Sequence, residues 1–245
     1  MILEIDVGNT WAKWRLLDGI QIVKRGRTLS AAFPQEDLCL LKGVRRVRCA
    51  SVSSHEKTAA IVHSLASIFG IDVELAETAK CQAGLTNGYQ NPAQMGVDRW
   101  LAMLAAFNAA KCGCLVVSCG TAVTIDSIRD DGMHEGGYIL PGLMMMRDAL
   151  LSRTGRIQYH CAEFDVSRVL GDSTARAVEH GAVNAVLSAI EHACDEHVKR
   201  QGSCNLFITG GDAPSLAKHL SLVSSSVSCH FVEDLVLNGL QHGLP

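Results

Sequence analysis

The chain has 245 residues, 48% hydrophobic and 19% charged, with a formal net charge of -3. This describes a globular chain of one large domain or two small ones, not a disordered one. The charge balance lacks the basic footprint of a nucleic-acid binder, so no nucleic-acid partner is expected. No apolar run reaches the roughly 18 residues of a membrane span, and no basic segment precedes an apolar one at the start, so neither membrane insertion nor a signal peptide is expected. The 10 cysteines show no paired CxxC spacing. They read as reduced core residues of a cytosolic protein.

The first stretch, "MILEIDVGNT", sets Ile2, Leu3 and Ile5 ahead of Asp6, then closes on a turn of small hydrogen-bonding residues. A strand ending in a polar turn explains it; so does a phosphate and metal site. "WAKWRLL" and "IQIVKRG" follow as strands, then "VRRVRCASV". "HEKTAAIVHSLASIFG" has helical apolar spacing and stops at Gly70. "IDVEL" reads as a strand, and "DRWLAMLAAFNAAK" as a helix from Asp98 to Lys111.

The pattern then restarts. "CLVVSCGTAVTIDSIRDDG" parallels "ILEIDVGNTWAKWRLLDG": strand, glycine turn, strand, Asp-Gly turn. "EGGYILPG" adds a third strand, "DSTARAVEHGAVNAVLSAIEHACDEHVKR" is helical, "NLFITGGDA" is a strand ending in a glycine turn, "APSLAKHL" is a helix, and the tail turns helical late in "HFVEDLVLNGLQHG". A duplicated, hairpin-first α/β unit with mixed sheets follows, divided into domains 1–113 and 114–245 with a cleft between them. In "EHACDEH", His192 and His197 stand about 140° apart on a helix, so the stretch reads as a solvated face, not a metal cluster. "GLMMMRDALLS" reads first as helix or core packing, and second as an apolar dimer face.

Each glycine hairpin offers backbone N–H groups and Thr hydroxyls suited to phosphate oxygens. Asp6 adds a hard oxygen ligand for hydrated Mg²⁺. Lys13 is either a phosphate cation or a solvated strand residue. No P-loop or protein-kinase signature is present. In "NGYQNPAQMGVDRWLAML", Asp98 is either a helix cap or a base beside an anion anchor, Arg99.

In order and spacing, "DVGNTWAK", "NGYQNPAQMGVDRWLA", "CGTAVTID", "GGYILPG" and "TGGDA" resemble a type III pantothenate kinase, of the acetate kinase/sugar kinase/Hsp70/actin superfamily. The specific part is "GVDR" preceded by Tyr89. The resemblance implies two tandem ribonuclease H-like (actin-like ATPase) domains and a cytoplasmic homodimer. It implies ATP-dependent phosphorylation of pantothenate, the first step of coenzyme A synthesis. On that likeness Asp6, Val7, Gly8, Asn9, Thr10, Trp11, Ala12 and Lys13 form the first phosphate motif, with Mg²⁺ held near Asp6 through water, and Thr121 belongs to the second. Tyr89, Gly96, Val97, Asp98 and Arg99 form the pantothenate site, with Asp98 the proton acceptor. Thr174 closes that site from a partner chain. Where the family has an aspartate that helps hold a monovalent cation (K⁺ or NH₄⁺), this chain has Ser118. A non-catalytic nucleotide-binding regulator and a different small-alcohol or sugar kinase are the alternatives. Retained Asp6, Asp98 and Arg99 weigh against the first, and Tyr89 with "GVDR" against the second.

Overall fold

The computed structural model describes residues 1–30, 35–153, 164–221 and 225–245. The chain forms two compact units: Met1–Asn108 with Leu235–Pro245, and Ala109–Asp234.

In the first unit, β1 (Ile2–Val7), β2 (Trp11–Asp18) and β3 (Gln21–Leu29) form an antiparallel meander. After α1 (Gln35–Cys39), β4 (Arg46–Ser51) adds in parallel to β1. The helix α2 (His55–Phe69) then crosses over to β5 (Val73–Leu75), parallel to β4. Its start is fixed by Ser54, whose side chain accepts from the Lys57 N–H, and its end by Gly70 in the left-handed region. A short ribbon, β6 (Cys81–Gln82) and β7 (Leu85–Thr86), leads through a 3₁₀ turn at Pro92–Gln94 to α3 (Val97–Ala110).

The second unit repeats the plan: β8 (Cys114–Cys119), β9 (Ala122–Ile128) and β10 (His134–Pro141) form a meander. Then come α4 (Leu143–Arg153), α5 (Thr174–Gln201), β11 (Cys204–Thr209), α6 (Ala213–Ala217) and β12 (Val227–Phe231). The sheet orders are β3-β2-β1-β4-β5 and β10-β9-β8-β11-β12, so the restart in the sequence is a duplicated topology. The last helix, α7 (Leu235–Gly243), belongs to the first unit, whereas the sequence division carried 114–245 as one domain.

Period-two alternation gives the first sheet two chemically different faces. Leu3, Ile5, Val7, Trp14, Leu16, Val47 and Cys49 form the apolar face, packed with Leu38 of α1 and with Ile61 and Leu65 of α2. The other face carries Glu4 and Asp6 from β1. Glu4 is fully buried and lies between two guanidiniums. Arg15 Nε donates to its Oε2 at 2.7 Å and Arg48 Nη1 to its Oε1 at 3.2 Å. Arg15 Nη1 also donates to Asn238 Oδ1 of α7 at 2.6 Å. Arg46 donates to the Leu244 and Pro245 carbonyls, tying the C-terminus to β4.

Two local expectations change. "EHACDEH" is not wholly solvated: His192 and Asp195 are exposed, but Cys194 and His197 face the core of α5. His197 Nδ1 lies 3.0 Å from Ser127 Oγ, and burial lowers the imidazole pKa. Of the nine described cysteines, all free, Cys39, Cys81 and Cys229 are exposed rather than core. Burial pushes the Cys49 and Cys119 thiols up to about 12, which keeps them protonated and inert.

Removing one partner of a buried ion network leaves uncompensated charge and costs about 3–5 kcal/mol. Glu4→Gln should therefore lower Tm by on the order of 10 °C. A thermal melt by circular dichroism checks this; an unchanged Tm would show that the two arginines need no carboxylate between them.

Candidate active site

Three clusters carry most of the residues singled out in the sequence. The first is the β1–β2 hairpin. Gly8 N–H donates to the Trp11 carbonyl at 2.9 Å, closing a tight turn over Asn9 and Thr10. Ser30 reinforces it from beyond β3: its N–H donates to the Thr10 carbonyl at 2.9 Å and its hydroxyl to the Gly8 carbonyl at 2.7 Å. The turn residues Asn9, Thr10 and Trp11 are exposed, while Val7 and Ala12 anchor its two sides in the core. Asp6 pairs in register with Lys13, so both side chains leave the polar face of the sheet beside the turn. Among the described residues no three His, Cys, Asp or Glu side chains gather to hold a metal. A single half-exposed carboxylate next to backbone donors nonetheless fits Mg²⁺, which keeps several waters and takes one or two carboxylates plus substrate phosphates.

The second cluster is built on the first turn of α3. Arg99 is buried, its Nη1 donates to Tyr89 Oη at 2.8 Å, and its guanidinium carbon lies 5.5 Å from the Tyr89 ring centroid. Tyr89 is held in turn: its N–H donates to Oδ1 of buried Asn87 at 2.9 Å. Asp98 is half-buried, and its Oδ1 accepts the Arg99 N–H at 2.8 Å. Its Oδ1 therefore serves the helix start as a cap would. Gly96 leaves room for that carboxylate. A Cβ at that position would stand 2.6 Å from Asp98 Oδ1, so any side chain would displace the carboxylate. The Gly96 carbonyl accepts from Trp100 N–H at 3.1 Å, which brings Val97 into the first turn. Trp100 Nε1 donates to Gln82 Oε1 at 3.1 Å, and Gln82 Nε2 to the Gly243 carbonyl of α7 at 2.8 Å. The helix that carries Asp98 is thus clamped by the C-terminal helix.

The third cluster lies in the second unit. Thr121 is exposed at the β8–β9 turn. Two other turns close on it. Gly142 N–H donates to the Thr121 carbonyl at 3.0 Å, and Asp212 N–H to the Cys119 carbonyl at 3.1 Å. A Cβ on Gly142 would stand 2.2 Å from the Gly120 carbonyl oxygen, and one on Gly210 2.2 Å from that of Cys119. Asp212, whose carboxyl pKa is raised by burial, belongs to this cluster. Sequence reasoning saw "TGGDA" but assigned it no site role; the glycine pair at a strand end was the available signal.

Ser118 sits two residues before Gly120, as Asp6 sits two before Gly8. It pairs with Thr124 on one side and Thr209 on the other. The row offers hydroxyls and no carboxylate. Thr174 is exposed at the start of α5, behind the cap Ser173. The segment leading to it is tied back onto α5: His180 contacts the Val169 carbonyl at 2.9 Å, and the Asp165 N–H donates to buried Glu179 at 3.0 Å.

Two repeats of one mixed-sheet topology, each opening on a glycine hairpin, define the class: a two-domain actin-like ATPase and sugar-kinase fold. Solved structures agree. A protein assigned to the Baf family of transcriptional activators, from Campylobacter jejuni, has a TM-score of 0.62 at 21% identity, covering 98% of this chain and 95% of that one. An inorganic polyphosphate/ATP-glucomannokinase from Arthrobacter has a TM-score of 0.50 at 15% identity, covering 98% and 96%. Sequence comparison narrows the class. The type III pantothenate kinase profile matches residues 2–196. Type III pantothenate kinases from Pseudomonas aeruginosa and Pseudomonas putida are 36% and 37% identical over 259 and 256 residues, each covering 100% of this chain and 99% of its own. The chain belongs to the type III pantothenate kinase family.

Proposed function

We infer that this chain transfers the terminal phosphoryl group of ATP to the primary hydroxyl of pantothenate, the entry step of coenzyme A synthesis. The observation that carries the reading is full-length membership of the family, together with the Tyr89–Arg99–Asp98 arrangement on α3.

Phosphoryl transfer has a loose transition state, so the protein's work is positioning and charge neutralisation. Backbone N–H groups of the two hairpins, with Thr10 and Thr121, suit the nucleotide phosphates, and Lys13 adds a cation. When bound, Mg²⁺ would neutralise phosphate charge beside Asp6. Arg99, oriented by Tyr89, anchors the pantothenate carboxylate through charge-assisted hydrogen bonds. Asp98 accepts the hydroxyl proton as the new O–P bond forms. The alternatives fare less well: a non-catalytic regulator would not need the carboxylate that Gly96 leaves room for, and a sugar kinase would not need the Tyr89–Arg99 anchor.

The direct test is a coupled assay of purified protein with ATP, Mg²⁺ and pantothenate. Product formation is expected, and its absence with intact fold would overturn the reading. In the same assay Asp98→Asn, which preserves shape and capping, should lower kcat by about 10²–10⁴ with Tm unchanged. Near-normal turnover would reduce Asp98 to a cap.

The active unit is a cytoplasmic homodimer in which Thr174 of one chain meets the pantothenate of the other. Support comes from the second unit's exposed apolar residues, among them Met144, Met145, Val169 and Leu170, and from the tethering that presents Thr174. Asp98→Asn and Thr174→Trp, each inactive alone, should regain activity when refolded together, because one mixed site is intact. A fully active monomer by light scattering would defeat this.

Ser118 lowers the demand for a monovalent cation. A hydroxyl presents a dipole where a carboxylate presents a charge, and charged partners roughly double a polar contact. Turnover in Tris free of K⁺ and NH₄⁺ should change little on adding KCl, and Ser118→Asp should introduce K⁺ sensitivity. A steep rise from near zero in the unmodified protein would show that a cation site persists without the carboxylate.

A further inference from the structure

Arg27 lies on the edge strand β3, outside every motif described above. Register gives it a place among them. Asp6 pairs with Lys13 across β1 and β2, and Lys13 pairs with Arg27 across β2 and β3. Directly opposed residues of antiparallel strands point to one face, so Asp6, Lys13 and Arg27 form a single row. Neighbouring strands lie about 4.8 Å apart, which makes the row about 10 Å long. One polyanion can meet both cations of the row, and reach Asp6 through a hydrated Mg²⁺.

The other cations of β3 do not share that row. Arg25 pairs with Arg15, one row further from the turn, and the Lys24 ammonium lies 5.9 Å from the Trp14 ring centroid on the apolar side. Charged residues on an edge strand commonly discourage pairing with another chain. That role accounts for Lys24 and Arg25 and leaves the placement of Arg27 open. The guanidinium of Arg27 lies 3.8 Å from the ring centroid of Trp11, the residue that closes the phosphate turn. A stacked guanidinium uses its flat face on the ring and keeps its N–H edge for a planar acceptor. Trp11 therefore acts as a rest for the arm and leaves its donors available. The strand is held in this register by Gly26: a Cβ there would stand 2.6 Å from the Trp14 indole, so only glycine lets β3 close on β2 at this point.

We propose that Arg27, docked on Trp11, is a third charged contact of the nucleotide-phosphate hairpin and sets this chain's affinity for the phosphoryl donor. The proposal rests on the reading that Asp6–Lys13 receives the phosphates of ATP. Arg27 donates charge-assisted N–H bonds to phosphate oxygens, beside the Lys13 ammonium. It contributes to donor binding and not to pantothenate binding.

The test is calorimetric titration of MgATP into the purified protein without pantothenate, backed by separate KM values for the two substrates. Arg27→Ala should raise the Kd for MgATP by about tenfold, as expected for a hydrogen bond to a charged group, with pantothenate KM and Tm unchanged. Arg27→Lys should recover part of the loss, and Trp11→Leu should fall between wild type and Arg27→Ala. Lys42→Ala, which removes an exposed charge elsewhere in the unit, controls for net charge and should change nothing. If Lys13→Ala and Asp6→Asn weaken MgATP binding while Arg27→Ala stays within twofold of wild type, the proposal is overturned and the hairpin reading stands. If none of the three moves the Kd, the hairpin reading itself fails and takes the proposal with it. Equal losses in MgATP and pantothenate affinity would also overturn the proposal, since a general disturbance would then explain both.

Discussion

A buried carboxylate fixes the geometry on which the first unit depends. Glu4 is enclosed in the middle of a sheet, and two arginines from neighbouring strands meet it there. An ion this deep is tolerated only when its charge and its hydrogen bonds are matched. The match holds in one register alone, because a one-residue slip turns every side chain to the opposite face. With Glu4 locked inward on the polar face, Asp6 must emerge on that same face two residues later, where the strand reaches its turn. The placement of the carboxylate that suits Mg²⁺ is thus a consequence of an ion network one row away, and Asn238 extends that network to the C-terminal helix.

The two units share a topology and differ in chemistry at equivalent places. In the first, the polar face presents Glu4, Asp6, Lys13, Arg15, Arg25 and Arg27. In the second, Val116 stands where Glu4 stands, Ser118 where Asp6 stands, and Thr124 opposes Ser118 where Lys13 opposes Asp6. One copy sets Glu4 among guanidiniums and Asp6 beside Lys13; the other carries hydroxyls at Ser118 and Thr124 and a buried Asp126–His134 pair where Asp126 opposes Val116.

Much of this was legible in the sequence. The hairpin-first plan could be read because the turn signals Gly8, Asp18-Gly19, Gly120 and Asp131-Gly132 repeat at matching intervals, and α2 could be bounded by Gly70. Asp98 and Arg99 could be placed at a helix start. Three things could not be read. The edge strand Val227–Phe231 alternates Val227, Cys229 and Phe231 with Ser228 and His230, but it is only five residues long and exposed along most of its length, so it carries little core signal. The return of α7 to the first unit depends on contacts between residues more than two hundred positions apart, such as Arg15 with Asn238. The row containing Arg27 exists only once three strands are in register, and nothing local to "VKRGRTL" announces it.

The second hairpin shows a different limit on reading function from residue types. Its surroundings are made by the absence of side chains: Gly142 and Gly210 bring two further turns within contact distance of Gly120 and Cys119, where any Cβ would collide with main-chain carbonyls. Gly210 is also held at φ +102, a conformation that side chains resist. Here the N–H groups of Gly120, Gly142 and Asp212 are directed by main-chain hydrogen bonds rather than by side chains. Side-chain substitutions around Thr121 would then act mainly by moving the backbone. In the first unit the side chains themselves hold the charge, and substitutions there act directly. The two copies therefore differ in what shapes their hairpins, charged side chains in one and close main-chain packing in the other, even where they match strand for strand.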